Sequence, residues 1–130
     1  MTIAELCVLA VVVLWLATIG LAKGGGWRDY DNARPRAAEF YATGWRARAL
    51  GAHQNGLEAL PFFIAAVLLA EFRAAPRALV DGLAAAFVFA RLAYVAAYVG
   101  DRALLRSVIW SLGFLINVAL FLTPLAARGA

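Results

Sequence analysis

The sequence predicts an all-α integral membrane protein: one domain over residues 1–130, folded as a four-transmembrane-helix bundle. Three observations carry this. The 130 residues are 65% hydrophobic and 15% charged, against about 45–50% and about 25% in a soluble domain. The mean hydropathy is +0.79. Apolar stretches of roughly twenty residues, the length that crosses a hydrocarbon core, recur four times between short polar segments. This composition excludes a disordered chain, a coiled coil and an ordinary soluble domain.

The first apolar run spans Ile3 to Ala22, interrupted only by Glu5 near its end. No Lys or Arg precedes it and Lys23 follows directly, so it reads as a retained helix rather than a cleaved signal peptide. Residues 23–36 (KGGGWRDYDNARPR) form a Gly-rich polar loop. Proline suits a helix start, which predicts a second helix from Pro35 to Phe72. At 1.5 Å per residue it is about 55 Å long, so its amphipathic first part stands in headgroups or water. A kink is expected at Pro61. A short turn at Arg73–Arg77 leads to a third span over roughly Ala78–Val99. After Gly100 and Asp101, a fourth span covers roughly Ala103–Ala126.

The formal net charge is +4. The basic residues flank apolar runs instead of forming a stripe, so they set membrane orientation and do not predict nucleic-acid binding. Lys23, Arg28, Arg34, Arg36, Arg102 and Arg106 lie on one side; Arg73, Arg77 and Arg128 lie on the other. The positive-inside rule makes the first side cytoplasmic. The single cysteine, Cys7, has no partner for a disulfide or a redox motif and reads as a small core hydrophobe.

Charged groups at membrane depth are expensive and need partners. On the second helix Arg48, Asn55 and Glu58 fall within an arc of about 80°, and Arg46 and His53 form a second stripe. Arg91, Tyr94 and Tyr98 share a face of the third helix, as do Arg106, Trp110 and Asn117 of the fourth. Counting inward from Glu71 and from Ala78 puts Glu58 and Arg91 at one depth, about 20 Å from the outer edge. An interhelical Glu58–Arg91 ion pair is therefore expected. Such a pair alone needs no ligand and serves equally as glue between helices. The surplus of basic groups, Arg48 and Arg106 above all, points instead to an anionic ligand in a cavity open to the cytoplasmic face. His53 reads as a hydrogen-bonded structural histidine, with proton shuttling as the alternative. One His and one nearby Glu are too few ligands for a metal.

The segment Arg48-Ala-Leu-Gly-Ala-His53-Gln-Asn55-Gly-Leu-Glu58-Ala-Leu-Pro61-Phe resembles the signature of the MAPEG family, membrane-associated proteins in eicosanoid and glutathione metabolism. Arg91-Leu-Ala-Tyr94-Val-Ala-Ala-Tyr98 is similar to the family's third helix, and Arg106-Ser107 to its catalytic Arg-Ser step. The resemblance covers essentially the whole chain. It implies a homotrimer in the cell (inner) membrane, with glutathione as cosubstrate bound between subunits near the cytoplasmic face. It implies contacts from Asn55, Glu58, Tyr94, Tyr98, Arg106 and Ser107, a basic position at Arg48, and Lys23 or Arg28 supplied by a neighbour. The sequence departs from the pattern at Gly51, where many members carry arginine, at Gln54 and at Trp110.

The residue chemistry fits. Arginines suit the carboxylates of glutathione, and Glu58 suits its ammonium. A guanidinium at Arg106 in a site of reduced dielectric favours thiolate over thiol, and Ser107 is placed to donate to the sulfur. The expected activity is glutathione conjugation to small hydrophobic electrophiles entering from the bilayer, or reduction of lipid hydroperoxides. Two other readings compete. One is a non-enzymatic lipid- or partner-binding protein of the same family. The other is an ion path through Glu58 and Arg91, which the apolar outer halves Phe62–Ala70 and Leu83–Ala90 disfavour.

Overall fold

The computed structural model describes residues 1–24 and 29–128. Four helices dominate: α1 (Ile3–Lys23), α2 (Gly44–Phe72), α3 (Arg77–Val99) and α4 (Ala103–Leu122). Each is long and apolar enough to cross a membrane.

α1 begins at a capping box. The Thr2 hydroxyl accepts from the Glu5 N–H at 3.0 Å and the Glu5 carboxylate accepts from the Thr2 N–H at 2.7 Å, which satisfies two otherwise orphaned donors. At its far end the Gly24 N–H returns to the Gly20 and Leu21 carbonyls. Lys23 lies 5.1 Å from the centroid of the Tyr30 ring.

The second helix does not start at Pro35. Asp31 accepts from the Ala33 N–H at 2.8 Å and pairs with Arg34 at 3.1 Å. Those bonds, the Ala33 N–H first, hold the exposed Asp31 carboxyl below its usual range. The Tyr41 hydroxyl donates back to the Pro35 carbonyl, closing a compact segment that ends in a 3₁₀ turn at Ala38–Tyr41. Thr43 is extended and Gly44 takes φ +66°, a left-handed conformation that glycine adopts without a Cβ penalty. α2 begins there, nine residues later than the sequence suggests. At 29 residues it is still about 43 Å long, more than the bilayer core requires. Pro61 lies within it.

The two tight connections share one design. In the first, the Ala75 N–H donates to the Ala70 carbonyl and the Ala74 N–H to Glu71. In the second, Arg102 donates to Ala97 and Asp101 to Tyr98. Both are Schellman motifs. The left-handed position falls on Ala74 (φ 51°) and Asp101 (φ 60°), not on Gly100. The α-helical part of the fourth span ends at Leu122 and continues as a 3₁₀ segment, Thr123–Arg128, so the span covers Ala103–Ala126 as expected.

The buried centre of the bundle is made of small residues and stacked rings. Ala49, Ala66, Ala70 and Ala84 are fully buried, which lets backbones approach closely where lipid supplies no hydrophobic drive. Phe63 and Phe87 stack at 4.3 Å, and Cys7 packs against this cluster. Leucines and phenylalanines such as Leu9, Leu68, Phe89 and Leu115 face outward, the arrangement of a lipid-exposed surface.

The antiparallel order is fastened at the end that carries the N-terminus. The Ala4 N–H donates to the Asp81 carboxylate at 2.9 Å, and the Thr2 hydroxyl donates to Glu71. Asp81 also lies 3.7 Å from Arg77. Asp81 thus caps α1 from α3. Asp81→Ala is expected to lower stability by about 1–2 kcal/mol, read as a lower unfolding midpoint in detergent, and Asp81→Asn, which keeps an acceptor, by less.

Candidate functional site

At the opposite end, where α2 and α4 begin and α1 and α3 finish, polar side chains converge. Arg91 is 5% exposed. Its Nη1 donates to Asn55 Oδ1 at 2.9 Å, and Asn55 Nδ2 donates to Glu58 Oε2 at 3.2 Å. The expected Glu58–Arg91 ion pair does not form directly; Asn55 stands between the two charges. The physical reason is rotation rather than depth. Glu58 follows Asn55 by three residues and turns its carboxylate to the exposed rim, while Arg91 stays behind Asn55. The Arg91 guanidinium lies over the Tyr94 ring at 4.4 Å. It passes beside Gly56, where a Cβ would come within 3.2 Å of Trp15 and 3.8 Å of the Arg91 Nη2.

In front of this relay opens a cleft of about 450 Å³. Asn55, Glu58, Tyr94 and Tyr98 line it from α2 and α3. Arg106, Ser107 and Trp110 line it from α4. Tyr94 and Tyr98 meet edge to face at 5.7 Å, and the Arg106 guanidinium sits 4.5 Å over the Tyr98 ring. Among the described residues no carboxylate pairs with Arg106. The Ser107 hydroxyl donates to the Ala103 carbonyl at 3.1 Å, a bond within the helix that it must trade for any bond to a ligand.

Gly51 explains how Tyr98 reaches its place. A Cβ at residue 51 would lie 2.4 Å from the Tyr98 hydroxyl oxygen and 2.8 Å from the ring carbon that bears it. The tyrosine fills the space that any larger residue at 51 would take. The sequence flags Gly51 as a lost cation but carries no sign of this seat.

Two expected site residues point elsewhere. Arg48 donates from Nε to the Val99 carbonyl at 2.9 Å and lies 3.7 Å from Asp101. It clamps α2 to the C-terminal end of α3, favourable ground for a cation, and does not line the cleft. His53 turns to α1: its Nδ1 lies 3.0 Å from the Trp15 carbonyl and its ring stacks on Trp15 at 4.9 Å. That is the bonding of a structural histidine. Of the two candidates for a neighbour's basic residue, Lys23 stands against Tyr30, and Arg28 lies outside the described residues. Asn55 as the bridge was within reach of sequence reasoning, since positions three apart on a helix are neighbours.

The sequence model of the MAPEG family matches residues 1–126. The chain belongs to the MAPEG family. It is accordingly a multi-pass membrane protein of a family concerned with eicosanoid and glutathione metabolism, and its four helices form the membrane bundle. No curated protein and no solved structure matches the chain. Within the family's frame, the Arg106-Ser107 step and the Asn55–Glu58 pair face each other across one cleft.

Proposed function

We propose that this MAPEG protein is a glutathione-dependent transferase or peroxidase acting on hydrophobic electrophiles or lipid hydroperoxides. One observation carries the reading: an Arg106 guanidinium, with no carboxylate partner among the described residues, faces a cleft otherwise lined by hydroxyls, two amides, an indole and one carboxylate. An unneutralised cation in a site of reduced dielectric favours an anionic ligand. Glutathione brings two carboxylates, an ammonium and a thiol. In this reading Arg106 stabilises the thiolate, Ser107 donates to sulfur, Glu58 receives the ammonium, and Asn55, Tyr94 and Tyr98 hold the peptide. Arg48, His53 and Arg91 act from behind, by fixing the helices that carry these groups.

The chemistry balances without a protein nucleophile. In conjugation, sulfur forms a bond to carbon while the leaving group departs with its electron pair and the thiol proton goes to solvent. In peroxide reduction, two thiols become one disulfide while the hydroperoxide yields an alcohol and water. The protein is further proposed to work as a homotrimer in the inner membrane with the cleft toward the cytoplasm. The basic residues gathered at the cleft's end support that orientation.

Calorimetry in detergent tests the reading. Glutathione is expected to bind at millimolar concentrations or tighter. Gly51→Ala drives the Tyr98 ring from under Arg106 and is expected to weaken binding by about three- to ten-fold, the worth of one such contact. A second reading, non-enzymatic lipid binding, is favoured by the missing cation at position 51. Absence of glutathione binding at millimolar concentrations selects it.

A further inference from the structure

Beside the polar cleft runs a second, mostly apolar groove of about 200 Å³ between α2, α3 and α4. Phe62 closes it from α2, Phe87 and Ala90 from α3, and Gly113 and Asn117 from α4. Asn55, Glu58, Tyr94 and Trp110 line both spaces, so the two are continuous. Trp110 and Phe114 stack at 5.7 Å with their planes 5° apart, and at 45% and 47% exposure they form a wall toward lipid.

At the far end lies Asn117, only 2% exposed, with a buried Oδ1 that has no partner among the described residues. A buried amide oxygen without a donor is costly, and more so in a membrane interior. Core packing does not account for it, since an apolar residue of that size would fill the same space without the penalty.

We infer that this groove seats the hydrophobic second substrate and that Asn117 recognises a hydroxyl at the end of that substrate remote from the reacting atom. The inference rests on the proposed thiol chemistry for the reactive end alone. Trp110 and Asn117 are seven residues apart on α4, about 10 Å along its axis. The ligand is therefore an apolar chain or aryl body of about that length, electrophilic at the cleft end and hydroxylated at the other. A carboxylate in place of the hydroxyl is disfavoured, because it would bury a charge in a mostly apolar groove and leave Oδ1 without a donor.

The test has two arms on protein in lipid nanodiscs. In the first, thermal protection by nonanol is compared with protection by its methyl ether, which keeps the apolar body and loses the donor. Wild type is expected to prefer nonanol by about five-fold in apparent affinity, the worth of one neutral hydrogen bond. Asn117→Leu, which removes an unpartnered polar group from the apolar interior and so retains the fold, is expected to bind both compounds equally. Gly113→Val fills the groove from α4, where a Cβ meets only Ala90 at an ordinary 3.8 Å, and is expected to weaken both.

The second arm follows glutathione addition to nonenal with and without an ω-hydroxyl. Sulfur bonds to the β-carbon, the thiol proton ends on the α-carbon, and nothing leaves. The same five-fold advantage is expected in kcat/KM for wild type, and none for Asn117→Leu. A nonanol preference without thiol addition supports the groove while rejecting the glutathione reading. Equal binding of the two probes in wild type, or a preference that survives Asn117→Leu, overturns the inference. Binding of neither probe also overturns it and leaves the groove to a helix of a second copy.

Discussion

Arg106→Ala is expected to cut glutathione conjugation of a hydrophobic electrophile by about 10²- to 10³-fold in kcat, the usual effect of deleting one preorganised charge-stabilising group. The fold should tolerate the change. Arg106 makes no ion pair among the described residues and rests only on the Tyr98 ring, so its removal strands no buried charge. Helical content and the unfolding midpoint are expected to stay near wild type, which separates loss of chemistry from loss of structure. Arg106→Lys should recover only part of the activity. An ammonium keeps the charge but loses the planar fork and the flat stacking on Tyr98. The deficit should also depend on pH. A free thiol ionises near about 8.5 unaided. The ratio of wild-type to Arg106→Ala rates is therefore expected to be greatest below that value and to shrink above it, as solvent ionises the thiol for both. Turnover like wild type at neutral pH would reject Arg106 as the thiolate-stabilising group.

The parts legible in the sequence were those governed by hydropathy. α1, α3 and α4 begin within a residue of the predicted positions, because a lipid-spanning helix is specified by its apolar length and the charges that bound it. The start of α2 was not legible. Asp31 holds Arg34 and Tyr41 holds Pro35 in a local fold, and the start at Gly44 depends on a backbone angle that composition does not encode. The site divides in the same way. A helical wheel groups Arg48 with Asn55 and Glu58, but it gives only the direction in which a side chain leaves the axis. Arg48 is long enough to run along the helix surface to Val99 and Asp101. Depth counting set Glu58 and Arg91 level, yet it says nothing of how α2 and α3 are rotated about their own axes. That rotation puts Asn55 between them. The seat of Tyr98 on Gly51 is a contact between two helices, and no single segment of sequence contains it.

Asn55→Leu is expected to destabilise the bundle by about 3 kcal/mol, the cost of leaving a buried guanidinium without its hydrogen-bond acceptor. Among the described residues Arg91 has no direct ion pair: its hydrogen bond runs to Asn55, whose amide in turn faces Glu58. Leucine branches at Cγ as asparagine does and leaves no cavity, so lost packing contributes little and the penalty falls on the guanidinium. Arg91→Met removes the charge together with its desolvation and is expected to be near neutral or mildly destabilising. The double variant Asn55→Leu/Arg91→Met should regain most of the stability lost in Asn55→Leu, giving a coupling of more than about 2 kcal/mol between residues in one network. Unfolding in detergent with increasing denaturant reads all four corners of the cycle. Additive effects would mean that Arg91 is solvated by another route, and the relay would then be geometry without energetic weight. A strong coupling has a consequence for the cleft as well. Asn55 lines it, so a ligand that draws on the Asn55 amide must compete with Arg91 and Glu58. Glutathione, which offers both a carboxylate and an ammonium, can replace each bond it breaks, whereas a neutral lipid cannot.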